Sequence, residues 1–170
     1  DDYCRLPDVT SGERTQLNYG LLQIENEFYS AIRPKRVTRS GEAPVRALEE
    51  RGIEYVEVRC LDINPFTPLG INEEIIALVD TFLLSCVLSD SPLYNTATRN
   101  IDNTNTQRIL NFGRDPSLQL LTKDGRAISR NEHAKPILDA MQEAAGWLDS
   151  ATSTTRHSDA MIRARGMLMD

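Results

Sequence analysis

An α+β fold is what this sequence predicts. Two stretches, residues 21–29 and 53–61, place apolar and polar side chains in strict alternation, the pattern of a half-buried strand. After Asn72 the period lengthens to that of helices and stays helical for most of the remaining chain. Residues 1–70 are therefore taken as a strand-bearing part and residues 71–170 as a helical part.

Residues 1–18 are polar and rich in turn formers, and are expected to be irregular. In residues 21–29, Leu22, Ile24, Asn26 and Phe28 point one way while Gln23, Glu25, Glu27 and Tyr29 point the other. Residues 33–41 form a basic loop, and residues 44–51 a short helix ended by Gly52. Residues 53–61 make the clearest strand, with Val56, Val58 and Cys60 on one face and Tyr55, Glu57, Arg59 and Leu61 on the other. Asn64-Pro65 and Pro68-Leu69-Gly70 terminate it.

Asn72 is a good N-cap, with Glu73 and Glu74 in the first turn facing the positive end of the helix dipole. The helix it opens runs to about Leu88, is apolar on most sides and is expected to be core. Residues 103–112 give a shorter helix closed by Gly113. Residues 131–148 are amphipathic through Ile137, Met141, Ala144, Ala145 and Leu148, a reading that confines Pro136 to the first turn. Ala160, Met161, Ala164, Met167 and Leu168 keep helical spacing to the end, with no Gly or Pro stop after them. Together with the missing initial Met, this leads us to expect a fragment of a longer chain.

The net charge of -6 and pI near 5.0 argue against general binding to nucleic acid or to an anionic membrane. Residues 75–88 are the longest apolar run, but Asp80, Thr81 and Ser85 interrupt it, so it is too short and too polar to span a bilayer. Cys4, Cys60 and Cys86 form no CxxC pair and no metal-ligand spacing, which suits a reducing, cytoplasmic setting with Cys60 and Cys86 as small buried side chains. His133 and His157 lack partners at metal spacing and are expected at the surface; Trp147 is expected in the core.

The chemistry lies in where the charges fall. If the two strands share a sheet, one face carries Glu25, Glu27, Tyr29, Tyr55, Glu57 and Arg59. Carboxylates on a rigid surface supply the oxygen ligands that a hard cation such as Mg2+ needs, and a neighbouring arginine can hold a phosphate. The loop adds Arg33, Lys35, Arg36 and Arg39, cations suited to a triphosphate. On pattern alone, a solvated sheet face and a solvated loop are the commoner explanations. Periodicity and spacing end at a possible anion and metal site.

Longer strings go further. Ile24-Glu25-Asn26-Glu27-Phe28-Tyr29, Ile32-Arg33-Pro34-Lys35-Arg36-Val37-Thr38-Arg39-Ser40-Gly41-Glu42, Gly52-Ile53-Glu54-Tyr55-Val56-Glu57-Val58-Arg59 and Leu61-Asp62-Ile63-Asn64-Pro65-Phe66 resemble glutamate–cysteine ligase of the bacterial single-chain type. Weaker similarity continues through residues 80–92 and 108–114, and from about Leu118 only helical character is shared.

The resemblance implies a glutamine-synthetase-like antiparallel sheet followed by a mostly helical region. It implies ATP-dependent joining of the glutamate γ-carboxyl to the cysteine amine through γ-glutamyl phosphate, the first step of glutathione biosynthesis. Divalent metal, here Mg2+, bridges the ATP phosphates and the glutamate carboxylate in that family. Carried over by position, Glu57 matches a metal ligand and Arg59 the arginine on the transferring phosphate; Tyr29 matches an aromatic of the cysteine pocket, and Arg33, Lys35 and Arg39 fall near the nucleotide.

Glu25 and Glu27 receive no role from the resemblance. The family chain is much longer, and the N-terminal part that supplies most metal ligands and the glutamate site is an expected partner missing from this sequence. Two alternatives stay open: another γ-glutamyl amine ligase of the same superfamily, and a non-catalytic binding module that keeps the fold.

Overall fold

The computed structural model describes residues 30–169 and, before them, only residues 9–10, 12–14 and 17. The strand expected at residues 21–29, with Glu25, Glu27 and Tyr29, and also Cys4, lie outside the described residues. The chain divides into two compact groups, Asp1–Ile63 and Asn64–Asp170. Each carries strands and helices, and every described strand pair is antiparallel.

In the first group, β1 (Val9–Thr10) and β2 (Glu13–Arg14) form a short antiparallel pair where irregular chain was expected. Gly12 between them takes φ 83, the left-handed geometry that tightens such a turn at no steric cost to glycine. β3 (Ile32–Lys35) pairs with β4 (Tyr55–Val58) in the register Ile32↔Val58, Arg33↔Glu57, Pro34↔Val56 and Lys35↔Tyr55. Arg33 and Lys35 are thus on a strand and not in a loop, a correction to the sequence-based expectation. Pro34 concealed this, since proline lacks the ladder N–H. The Arg59 N–H donates to the Ala31 carbonyl at 2.8 Å, so by antiparallel alternation Pro34 falls at a non-hydrogen-bonded pair and gives up no bond to β4.

The loop after β3 leads to α1 (Pro44–Arg51), which has the bounds the sequence predicts. Proline at its first position is pre-set for a helix, and Gly52 ends it at φ 72 with its N–H on the Leu48 carbonyl.

The second group opens with a compact turn in which Asn64 accepts from the Phe66 N–H and donates to the Gly70 carbonyl. α2 (Glu73–Leu88) starts at Asn72, whose Oδ1 accepts from the Ile75 N–H at 2.9 Å. α3 (Thr96–Phe112) begins well before residue 103, because Asn95 caps it through the Thr98 N–H. β5 (Gln119–Leu121) and β6 (Ala127–Ser129) form a hairpin where only helical character was expected, turning at Gly125 with φ 82.

α4 (Arg130–Thr152) follows from a capping box in which Ser129 and Glu132 bond each other's backbone N–H. It extends past both expected ends. Pro136 lies in its second turn and not its first, where it withdraws the donor owed to the Glu132 carbonyl. α5 (Arg156–Met169) closes the described chain.

The core of this group lies where α2, α4 and α5 meet: Met141, Ala145 and Met161, with Leu78 and Leu138 packed against them. Small residues dominate the buried faces, including Ala77, Thr81 and Ser85 of α2 and Ala144 and Ala160 of the facing helices. Close approach through small side chains leaves the larger apolar ones of α2 outside, so the helix expected as core buries one side only. Trp147 is half exposed rather than core, and His157, expected at the surface, is 1% exposed. Cys60 and Cys86, expected to be buried, are exposed free thiols.

Candidate active site

Directly opposed residues of an antiparallel pair share a face. The register therefore puts Arg33 and Lys35 on the same face as Tyr55 and Glu57, and leaves Ile32, Pro34, Val56 and Val58 on the other. Among the described residues the sequence-predicted face of β4 gains its cations from β3, next to it in the sheet.

Glu57 is the centre of this face. Its Oε2 lies 3.3 Å from Lys35 Nζ and 3.0 Å from the Arg59 guanidinium, with the oxygen itself out of solvent. The Arg59 guanidinium holds the Glu57 carboxyl below its ordinary range, against the opposing effect of burial and with Lys35 adding to the pull. The group is an ionised oxygen donor at neutral pH, flanked by two cations.

The loop beside the face is fastened at several points. Arg51 from the end of α1 grips Glu42 with both guanidinium nitrogens, at 2.6 and 2.8 Å, and also donates to the Val37 carbonyl at 3.1 Å. Glu42 in turn accepts the Arg39 N–H at 2.7 Å. The paired Arg51 and the Arg39 amide bring the Glu42 carboxyl down to about 2. On the strand side, Glu54 Oε2 accepts the Val37 N–H at 3.1 Å and lies 3.6 Å from Arg36. Between strand, loop and helix is a cavity of about 430 Å3, lined by Arg33, Lys35 and Arg36 together with Val45, Leu48 and Tyr55. Cations and apolar side chains around one cavity suit an anionic ligand with a flat or apolar body.

Of the residues singled out in the sequence, Arg33, Lys35, Glu57 and Arg59 come together here. Arg39 stands further along the loop, exposed, with its backbone set by Glu42. Tyr29 lies outside the described residues. The clamps Glu42–Arg51 and Glu54–Arg36 were not read from sequence; an acidic residue closing a basic loop just before a helix was the available signal. Among the described residues no group of three or more His, Cys, Asp or Glu could hold a metal ion by itself. No described helix is long and apolar enough to cross a membrane.

Comparison with known proteins gives this geometry its setting. The family model for glutamate-cysteine ligase matches residues 1–109. Curated glutamate–cysteine ligases of Janthinobacterium sp. (strain Marseille) and Pseudomonas aeruginosa are 45% and 46% identical, over 94% and 99% of this chain. The crystal structure of glutamate–cysteine ligase from Francisella tularensis in complex with AMP superposes with a TM-score of 0.81 at 36% identity, over 99% of this chain. The match takes up 30% and 32% of the two curated relatives and 33% of the solved chain, so this chain spans about a third of their length. It belongs to the glutamate–cysteine ligase family.

Proposed function

We propose that this chain supplies one wall of the active site of an ATP-dependent glutamate–cysteine ligase, a cytoplasmic enzyme making γ-glutamylcysteine. The observation that carries the proposal is the Glu57 carboxylate held between Lys35 and Arg59 on a strand face, beside a basic cavity, within the family-matching residues.

The chemistry has two steps. A γ-carboxylate oxygen of glutamate attacks the terminal phosphorus of ATP, and ADP leaves. The cysteine amine then attacks the carbonyl carbon of γ-glutamyl phosphate, inorganic phosphate leaves, and the amine gives up a proton. Negative charge accumulates on the transferring phosphoryl group, and a fixed guanidinium there lowers the barrier. Arg59 has that role in this proposal. Arg33, Lys35 and Arg39 take the nucleotide phosphates, and the apolar side chains of the cavity take the base. The AMP in the Francisella tularensis complex is in keeping with a nucleotide site.

Glu57 fits Mg2+ as a single ionised oxygen donor, which is enough where substrate phosphates complete the coordination. Bound there, Mg2+ would neutralise phosphate charge. Glu57 balances the charge of Lys35 and Arg59; were phosphates to take those two cations, the carboxylate would be available to hold the metal. Tyr29 is assigned to the cysteine pocket.

The test is kinetic, in a full-length enzyme carrying this segment. Arg59→Ala should lower kcat by roughly two to three orders of magnitude while ATP affinity changes little, as for a group acting mainly on the transition state. An equal loss in both would make Arg59 an ordinary ATP-binding residue. Glu57→Gln should raise the Mg2+ needed for half-maximal rate, and an unchanged metal titration would remove it from the metal. Tyr29→Ala should relax selectivity for cysteine among amine acceptors; unaltered selectivity would sever Tyr29 from that pocket.

A further inference from the structure

α2 is apolar round almost its entire circumference, the pattern of a helix surrounded by protein. Only one side of it is buried, through Ala77, Thr81 and Ser85. At 100° per residue the opposite side carries Ile75, Ile76, Val79, Leu83, Cys86 and Val87, with Phe82 at one margin and the exposed Asp80 at the other. Ile76 is 46% exposed and Val87 80% exposed, and the Cys86 thiol is exposed too. Phe82 and Cys86 also form one bank of an open groove of about 470 Å3, whose other bank is Pro136, Ile137 and Ala140 of α4. Asp90 is the one ionisable acid or base along this groove, so the groove favours an apolar occupant over a charged one.

The length of the relatives indicates what the occupant is. They are about three times as long, and the solved one keeps this fold over 99% of the chain within its larger molecule. We propose that the outer face of α2 and its groove against α4 are the docking surface for the other two-thirds of a glutamate–cysteine ligase polypeptide. This rests on family membership and on the packing of α2, and is independent of any catalytic role for Glu57 or Arg59. An apolar face of this kind, charged only at its Asp80 margin, is a partner surface rather than scattered exposure. A short groove beside it, with Asp90 its one charged residue, fits an inserted aliphatic or aromatic side chain.

The experiment co-expresses this 170-residue chain with the part of the Pseudomonas aeruginosa ligase that lies outside the matched stretch. Maleimide labelling of Cys86, read by peptide-resolved mass spectrometry, is compared between the isolated chain and the co-purified complex. The expected result is ready labelling in isolation and loss of labelling in the complex. Val87→Asp should weaken co-purification by at least about tenfold without altering the thermal melt of the isolated chain.

Failure to co-purify, or a complex in which Cys86 labels as fast as before, overturns the proposal. So does protection already present in the isolated chain: if it rises with concentration the face binds a second copy, and if not the chain covers the face itself. The readout is labelling and not turnover, so a complex that protects Cys86 but makes no product would count against the ligase proposal alone.

Discussion

Asp149 belongs to the last turn of α4, yet its side chain serves the first turn of α5. It accepts the His157 N–H at 3.0 Å and the Ser158 N–H at 2.9 Å, and lies 2.8 Å from His157 Nδ1. Amides in a first turn have no acceptor within their own helix, so a neighbouring carboxylate supplies one. Burial by itself would raise the Asp149 carboxyl, but the bonds from Ser158 and His157 outweigh it and hold the group well below its ordinary range.

Asp149→Asn should therefore destabilise the chain by about 2 kcal/mol, a loss of charge-assisted bonds that thermal unfolding followed by helical circular dichroism would reveal. An unchanged melt would mean these bonds contribute nothing net. The sign with pH follows from the lowered value. As pH falls the unfolded chain takes up its proton first, so the contribution is whole above the ordinary 3.8 and fades below it. None of this was legible at His157, because its partner is eight residues back across a helix hairpin, and no single-helix spacing joins them. Ser153, left-handed at φ 53, reverses the chain and brings the two together. Glu57 and Arg59 were legible, since alternation on one strand fixes which side chains share a face.

Elements were readable where a short polar signal stands beside a strong pattern. α1 has proline at its start and glycine after its end, and α2 has Asn72 before an apolar run. α3 was read short because residues 96–102 are mostly polar, although Asn95 caps them as Asn72 caps α2. The capping box at Ser129 was in the sequence too, three residues ahead of Glu132. Ser129→Ala should lower stability by about 1 kcal/mol, the usual worth of such a cap, as a shift in the denaturant midpoint with unchanged slope. An unmoved midpoint would make the box ornamental. The β5–β6 hairpin escaped because its strands are three residues each, too few for a period to register, while Asp124-Gly125 marked its turn.

The loop after β3 gives the sharpest test at this scale. Glu42 should titrate near 2 by carboxyl NMR, and Arg51→Ala should return it toward the ordinary 4.5. With the folded value depressed, the clamp holds above about pH 4.5 and is released as pH falls toward 2, so acid loosens the loop and alkali does not. A Glu42 midpoint already at the ordinary value would show that the clamp is absent in solution.

At the scale of the molecule, the order of the helices was readable because each keeps its own period, whereas of the described strands only β4 was read as one. The site was only partly readable, because it is built by pairing β4 with a strand that proline disguised. In the proposed function, what the described residues assemble is one wall. Mg2+ keeps to near-octahedral oxygen coordination and is held by one or two carboxylates plus phosphates. Glu57 is one such carboxylate, and no cluster of three potential ligands accompanies it among the described residues. The basic cavity can attract a nucleotide without any of this, since phosphate binding needs only cations and backbone donors. Binding and turnover should therefore separate in this chain. With Mg2+, ATP, glutamate and cysteine, the purified 170-residue protein is expected to bind ATP weakly by calorimetry and to form no γ-glutamylcysteine by chromatography. Product made by this chain alone would show that one third of the family's length suffices for catalysis, and would overturn the account of β3 and β4 as a single wall.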